Sequence, residues 1–192
     1  MKIYEYDSYG EYVAIQSEAN KKKIKNVFVR KATMQEIKNM RPEASSVLCH
    51  GTRNGAEQRY FQEVYGKDLE VMGSEISDTA TNFPNTTQWD FMKRNPDWVG
   101  KYDIVYSNSL DHCTDPVATL KVWREQLKEG GDIFLEHTFL DMHNNSCPWD
   151  PLELSKDELI KCFEEVGLNI VAESQSGTYV SRGGIPLFQL SK

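Results

Sequence analysis

From Ser45 onward, short apolar runs alternate with helix-prone stretches, and this alternation constrains the fold more than any other feature. Ser46-Val47-Leu48-Cys49 precedes a helical stretch from Gly55 to Tyr65, and Leu69-Glu70-Val71-Met72-Gly73 follows it. Tyr102-Asp103-Ile104-Val105-Tyr106 then precedes a helix over Asp115 to Lys128, with Asp132-Ile133-Phe134-Leu135-Glu136 after it. Strand, helix, strand in repetition predicts a parallel sheet covered by helices on both faces. Gly66 and Gly130-Gly131 stand where two of these helices should stop. Ser155-Lys156-Asp157-Glu158 opens a further helix with a capping-box pattern, and Gly167 closes it. Asn169–Ala172 and Ile185–Leu190 predict two strands whose antiparallel pairing finishes the sheet. The expected class is α/β, doubly wound and mostly parallel, with an antiparallel C-terminal strand.

Residues 1–44 read differently, as a polar helical cap. Tyr12, Gln16 and Asn20 recur four apart and share a helix face. They predict either a lid over a ligand or a purely structural cap. Thr33, with Glu36 three residues on, predicts the N-cap of a second helix reaching Met40, which Pro42 stops. The 192 residues suit one domain, with 1–44 as cap and 45–192 as core.

The formal charge of −7 opposes nucleic acid as the partner, because phosphate binding needs a basic surface. The short cluster Lys21-Lys22-Lys23 with Lys25 reads as a solvated helix end. Cys49, Cys113, Cys147 and Cys162 show no paired spacing, so structural zinc is not expected. His137, Asp141 and His143, spaced four and two, fit no common ligand pattern, and no metal is expected there. There is no apolar run of spanning length and no secretory segment at Met1–Asp7, which gives a cytoplasmic expectation without a membrane partner.

Val47-Leu48-Cys49-His50-Gly51-Thr52-Arg53-Asn54-Gly55 places two glycines between a strand and a helix. Gly51 lets a ligand approach the backbone, and Gly55 lets the helix start close to the strand, offering unpaired N–H groups to an anion. Glu75, at the end of the second strand, can accept hydrogen bonds from a ribose diol. Asp90 and Phe91, after a short third strand, suit an adenine: the carboxylate takes the amine and the ring stacks. Taken separately, each acid reads equally as a solvated strand end and Phe91 as core.

In this order the series resembles the class I S-adenosylmethionine-dependent methyltransferases over roughly residues 45–190. The likeness is most specific from Tyr102 through Ser107-Asn108-Ser109-Leu110-Asp111-His112-Cys113-Thr114-Asp115-Pro116 to Lys128-Glu129-Gly130-Gly131. It implies a Rossmann-like fold and S-adenosylmethionine as cofactor. Gly51 and Gly55 would cradle its amino-acid end, with Thr52 and Arg53 in the same loop. Glu75 would hold the ribose with Ile76 against the adenine, and Asp90 and Phe91 would recognise the base. Asn108 and Ser109 would pass under the methionine portion, with Leu110 beside them.

The chain departs from the family at two places. Cys49 stands where an acid is usual, and Arg53 near where a third glycine is frequent. Arg53 either pairs with the cofactor's carboxylate or faces outward.

Methyl transfer needs alignment more than covalent help, and a base only where the acceptor carries a proton. His112 is the first candidate base and His143 the second, His112 having the alternative role of orienting the Ser107–Leu110 loop. The polar stretch 138–154, with Asn144, Trp149 and Asp150, is expected to line the acceptor site. The implied activity is methylation of a small-molecule or glycan-precursor acceptor. A non-catalytic S-adenosylmethionine-binding module is the alternative, and a nicotinamide-dependent oxidoreductase is disfavoured by the incomplete glycine fingerprint.

Overall fold

The computed structural model describes residues 1–139, 146–176 and 184–192. The apolar runs form the central strands: β2 (Ser46–His50), β3 (Glu70–Glu75), β5 (Tyr102–Ser107) and β6 (Leu127–Glu136). Short β4 (Thr86–Gln88) flanks β3, and β8 (Asn169–Ser176) and β9 (Ile185–Ser191) complete a seven-stranded sheet of order β4-β3-β2-β5-β6-β9-β8. Strands β4 through β6 run parallel, while β9 is antiparallel to both β6 and β8.

The period-two alternation of a strand sends successive side chains to opposite faces. In β5, Ile104 and Tyr106 pack on one face with Met34 and Ile37 of α2 (Lys31–Met40) and Phe61 of α3 (Ala56–Tyr65). Val105 packs on the other, with Leu120 and Trp123 of α4 (Pro116–Gln126) and Phe163 of α5 (Lys156–Glu165). Because both faces are covered, β2 is buried along its whole length, as a parallel sheet requires. The chain leaves β2 toward β3 on one side and finds β5 on the other. This reversal opens a crevice beyond the carboxyl ends of the strands.

Two element boundaries differ from the sequence expectation. Thr33 does not cap α2: Arg30 holds that position without a side-chain bond, and Thr33 sits inside the helix. Its buried hydroxyl donates to Glu136 Oε1 at 3.2 Å, a partner 103 residues away that local pattern cannot reveal. The fourth helix stops at Gln126 rather than Lys128, and Leu127 already pairs with Tyr102. Gly130-Gly131 accommodates a register shift inside β6, where a Cβ on Gly131 would stand 3.0 Å from the Tyr102 carbonyl oxygen. The expected capping box is present in α5, where Ser155 and Glu158 satisfy each other's backbone N–H.

The cap consists of α1 (Tyr9–Lys22), opened by Ser8, whose side chain accepts from the Glu11 N–H. Tyr12, Gln16 and Asn20 are buried on one face as their spacing predicts, joined by Ala19. Ahead of it, β1 (Lys2–Ile3) pairs antiparallel with β7 (Leu152–Glu153), a two-residue ribbon with no signal in the sequence. Among the described residues no helix is long and apolar enough to cross a membrane.

Candidate functional site

The crevice at the strand reversal is a cleft with about 550 Å³ of space that includes open solvent. Of the expected residues, Gly51, Arg53, Glu75, Ile76, Asp90, Phe91 and Ser109 line it, and so does His112. The inner face of α1 supplies the opposite wall through Tyr12, Gln16, Ala19 and Asn20, with Lys23 after it. Periodicity marks the helix face but not Ala19, and Lys23, expected within a solvated helix end, lines the cleft instead.

Four expected positions do not reach the wall. Thr52 is buried behind it, its hydroxyl accepting from Gln58 Nε2 at 3.3 Å. Gly55 caps α3 with φ of 71°, where the left-handed backbone needs glycine. Asn108 accepts from the Ser109 hydroxyl at 3.1 Å, and Leu110 belongs to the core. These residues shape the loops rather than the cleft surface. His143, with Asp141 and Asn144, lies outside the described residues.

The loop after β2 is tightly held. Gly51 and Thr52 both donate their backbone N–H to the Ser74 carbonyl, at 2.9 and 3.1 Å. Gly51 has φ of 71°, and a Cβ there would stand 2.6 Å from Ser109 Cβ and Oγ. The loops following β2 and β5 therefore touch through a glycine. Arg53 follows with φ of 42°, a left-handed conformation that non-glycine residues seldom adopt.

Each acid at the cleft is partly satisfied by backbone. Glu75 accepts from the Arg53 N–H at 3.1 Å and the Ser77 N–H at 3.0 Å. Asp90 accepts from the Met92 N–H at 2.9 Å and from the Tyr9 hydroxyl at 3.0 Å. Burial raises the pKa of both carboxyls despite these bonds. Burial also lowers that of the Arg53 guanidinium, whose Nε has no hydrogen-bond partner among the described residues.

Also lining the cleft, His112 has its Nδ1 2.8 Å from the Trp149 carbonyl oxygen and 3.6 Å from Asp150 Oδ1. A carbonyl only accepts, so Nδ1 carries a hydrogen. The cap grips the same segment: Gln16 Nε2 donates to the Trp149 carbonyl at 3.2 Å, and the Tyr12 hydroxyl donates to the His112 carbonyl at 3.1 Å. Donor atoms of Asp111, His112 and Asp150 lie within 4.8 Å of one another, a set able to hold a metal ion. Sequence reasoning passed over this set because Asp150 is distant in the chain. In the basic cluster, Lys21 pairs with Asp78 and Lys22 with Glu18, while Lys22 and Lys23 lie over the Trp149 ring.

No family model matches the chain. Over 62 residues it is 34% identical to the tRNA U34 carboxymethyltransferase of Campylobacter hominis, a match covering 32% of this chain. That match spans only 22% of the relative's length. Among solved structures, it resembles the 1,6-didemethyltoxoflavin-N1-methyltransferase of Burkholderia thailandensis, determined with 1,6-didemethyltoxoflavin and S-adenosylhomocysteine bound. The TM-score is 0.72 at 14% identity, covering 97% of this chain and 91% of that one. A SAM-dependent methyltransferase from Aquifex aeolicus gives a TM-score of 0.64 at 13% identity, covering 88% and 96%. At such identities the likeness is one of architecture, and the chain has the Rossmann-like fold of the class I S-adenosylmethionine-dependent methyltransferases.

Proposed function

We propose that the chain binds S-adenosylmethionine in this cleft and transfers its methyl group to a small-molecule or glycan-precursor acceptor. The observation that carries this reading is the convergence of Gly51, Arg53, Glu75, Asp90 and His112 on one cleft at the strand reversal. The residues fit the cofactor's chemistry. Gly51 leaves a surface that a Cβ could not share with Ser109, and the buried Arg53 Nε lacks an acceptor among the described residues. Glu75 would hold the ribose hydroxyls, Asp90 the adenine amine, and Arg53 the carboxylate. The cofactor supplies a methyl group on a positively charged sulfur, which is electrophilic without further activation. The protein's part is then to fix both reactants and exclude water, and α1 across the cleft serves the second purpose.

The curated relative acts on tRNA by its name, but the charge of −7 here favours an acceptor without a phosphate backbone. A cofactor-binding module without activity is the remaining alternative. Calorimetry with S-adenosylhomocysteine and NAD, followed by turnover of S-adenosylmethionine with a cell extract, separates the methyltransferase from the module and from a nicotinamide-dependent enzyme. Binding of S-adenosylhomocysteine alone, with turnover, is expected. Binding of NAD instead overturns the proposal, and binding without turnover supports the module.

A further inference from the structure

We infer that Phe28 is a positioning residue, holding the Arg53 guanidinium ready for the carboxylate of an amino-acid-bearing nucleoside. The inference rests on the S-adenosylmethionine reading above and extends it to a residue outside the fold's core.

Three observations converge on the pair. Arg53 keeps a left-handed backbone, φ 42°, that glycine would adopt without strain. The Arg53 N–H donates to Glu75 Oε2 at 3.1 Å, which helps hold that conformation at the cleft wall. The second is that Arg53 lines the cleft while its Nε is buried without an acceptor. Glu57, Glu75, Asp111 and Asp150 all act on it electrostatically, yet among the described residues none closes an ion pair with it. A guanidinium surrounded by acids but bonded to none is available to an anion from outside. The third is that Phe28 places its ring centroid 4.7 Å from the guanidinium carbon, within cation–π range.

The contact leaves the right groups free. A guanidinium presents its five N–H donors in its own plane, and the Phe28 ring carries no oxygen or nitrogen acceptor to occupy them. The edge remains for a bidentate carboxylate, while the ring removes rotational freedom that binding would otherwise have to remove. Phe28 is 38% exposed, so the core does not require it. It sits in the linker between α1 and α2, which the neighbouring Asn54 clasps through bonds to the Ile24 and Asn26 carbonyls at 2.7 and 3.0 Å. Arg53 and Asn54 thus join the glycine loop to the cap linker from adjacent positions.

Calorimetry on the full chain tests this with S-adenosylhomocysteine and methylthioadenosine, which share the adenosine and differ in the amino-acid tail. Phe28→Leu, apolar but without a π face, should weaken S-adenosylhomocysteine about two- to fivefold and leave methylthioadenosine unchanged. Phe28→Tyr should restore the parent affinity. Arg53→Gly should weaken S-adenosylhomocysteine about ten- to a hundredfold without lowering the melting temperature, since glycine suits that backbone. Equal affinity of Phe28→Leu and parent for S-adenosylhomocysteine overturns the inference, as does a parallel loss for both ligands. If the parent binds neither ligand, the cofactor reading itself falls, and this inference with it.

Discussion

The Tyr9 hydroxyl donates to Asp90 Oδ2 at 3.0 Å, bridging 81 residues between the first turn of α1 and the turn after β4. Lys93 Nζ stands 3.6 Å from the same ring's centroid, so the tyrosine is held at its face and at its tip. The cap is therefore latched to the acid assigned to adenine. Asn20 provides a second latch at the other end of α1, accepting from the Thr79 hydroxyl at 2.9 Å.

Removing the first latch should loosen the cap alone. Tyr9→Phe keeps the ring and deletes a hydrogen bond contributing about 1 kcal/mol. Hydrogen exchange of α1 amides should rise about fivefold, while those of β2 and β5 hold. Unchanged exchange in α1 would show that Tyr9 does not fasten it.

Gly51→Ala should cost both stability and binding. The added Cβ stands 2.6 Å from Ser109 Cβ, an atom that cannot move without its backbone, and φ is 71°. Overpacking of this kind costs about 1–3 kcal/mol, which lowers the melting temperature by several degrees. Affinity for S-adenosylhomocysteine should fall at least about tenfold as the cleft floor rises. Adding Ser109→Gly removes the clash but leaves the strained φ, so the double variant should recover part of the loss. Strictly additive losses would show that the two loops do not collide.

Much of this arrangement was legible in the sequence, and the remainder has a common cause. The apolar runs of β2, β5 and β6 are read by both faces of a covered sheet, so their composition reports their position. Gly51, Glu75 and Asp90 were found from chain order, because strand ends in a parallel sheet converge by topology. Thr33 was misplaced because its true partner, Glu136, is remote, while its local pattern mimics a cap. Gly130-Gly131 mimics a helix stop but serves a register shift in β6. Tyr9 on Asp90 and Phe28 on Arg53 carry no periodicity at all. Arg53 could be read inward or outward until its φ and buried Nε were known.

Three fully buried groups dominate the pH dependence of stability, with Glu75 and Asp90 adding to its alkaline side. Burial depresses the pKa of both His50 and His137 to about 4, and raises that of Glu57 to about 8. A histidine held neutral contributes stability that is complete above its ordinary pKa of about 6.5. That contribution is lost as pH falls toward 4, about 3 kcal/mol each. A carboxyl held neutral does the reverse: its contribution is complete below about 4.5 and lost as pH rises through 8. Urea unfolding across pH 4 to 9 should therefore show a maximum near neutrality. Glu57→Gln should make the alkaline limb shallower and the acid limb steeper between pH 4.5 and 6.5, where the Glu57 and histidine contributions oppose each other; a slope unchanged above pH 6.5 would remove Glu57 from the account.

His112 offers the sharpest test of the cleft's chemistry. Its Nδ1 faces the Trp149 carbonyl at 2.8 Å, and that oxygen also accepts from Gln16. The opposite tautomer would set a nitrogen lone pair against a carbonyl lone pair at this distance, which is repulsive. Long-range proton–nitrogen correlation spectra at pH 8 should therefore show His112 with the hydrogen on Nδ1. The Asp150→Asn variant should keep this tautomer, because the backbone carbonyl rather than the carboxylate at 3.6 Å holds it. The lone pair then belongs to Nε2, the form a base needs to take a proton from an acceptor hydroxyl. A spectrum dominated by Nε2–H would detach His112 from Trp149 and, with it, the segment from the cleft.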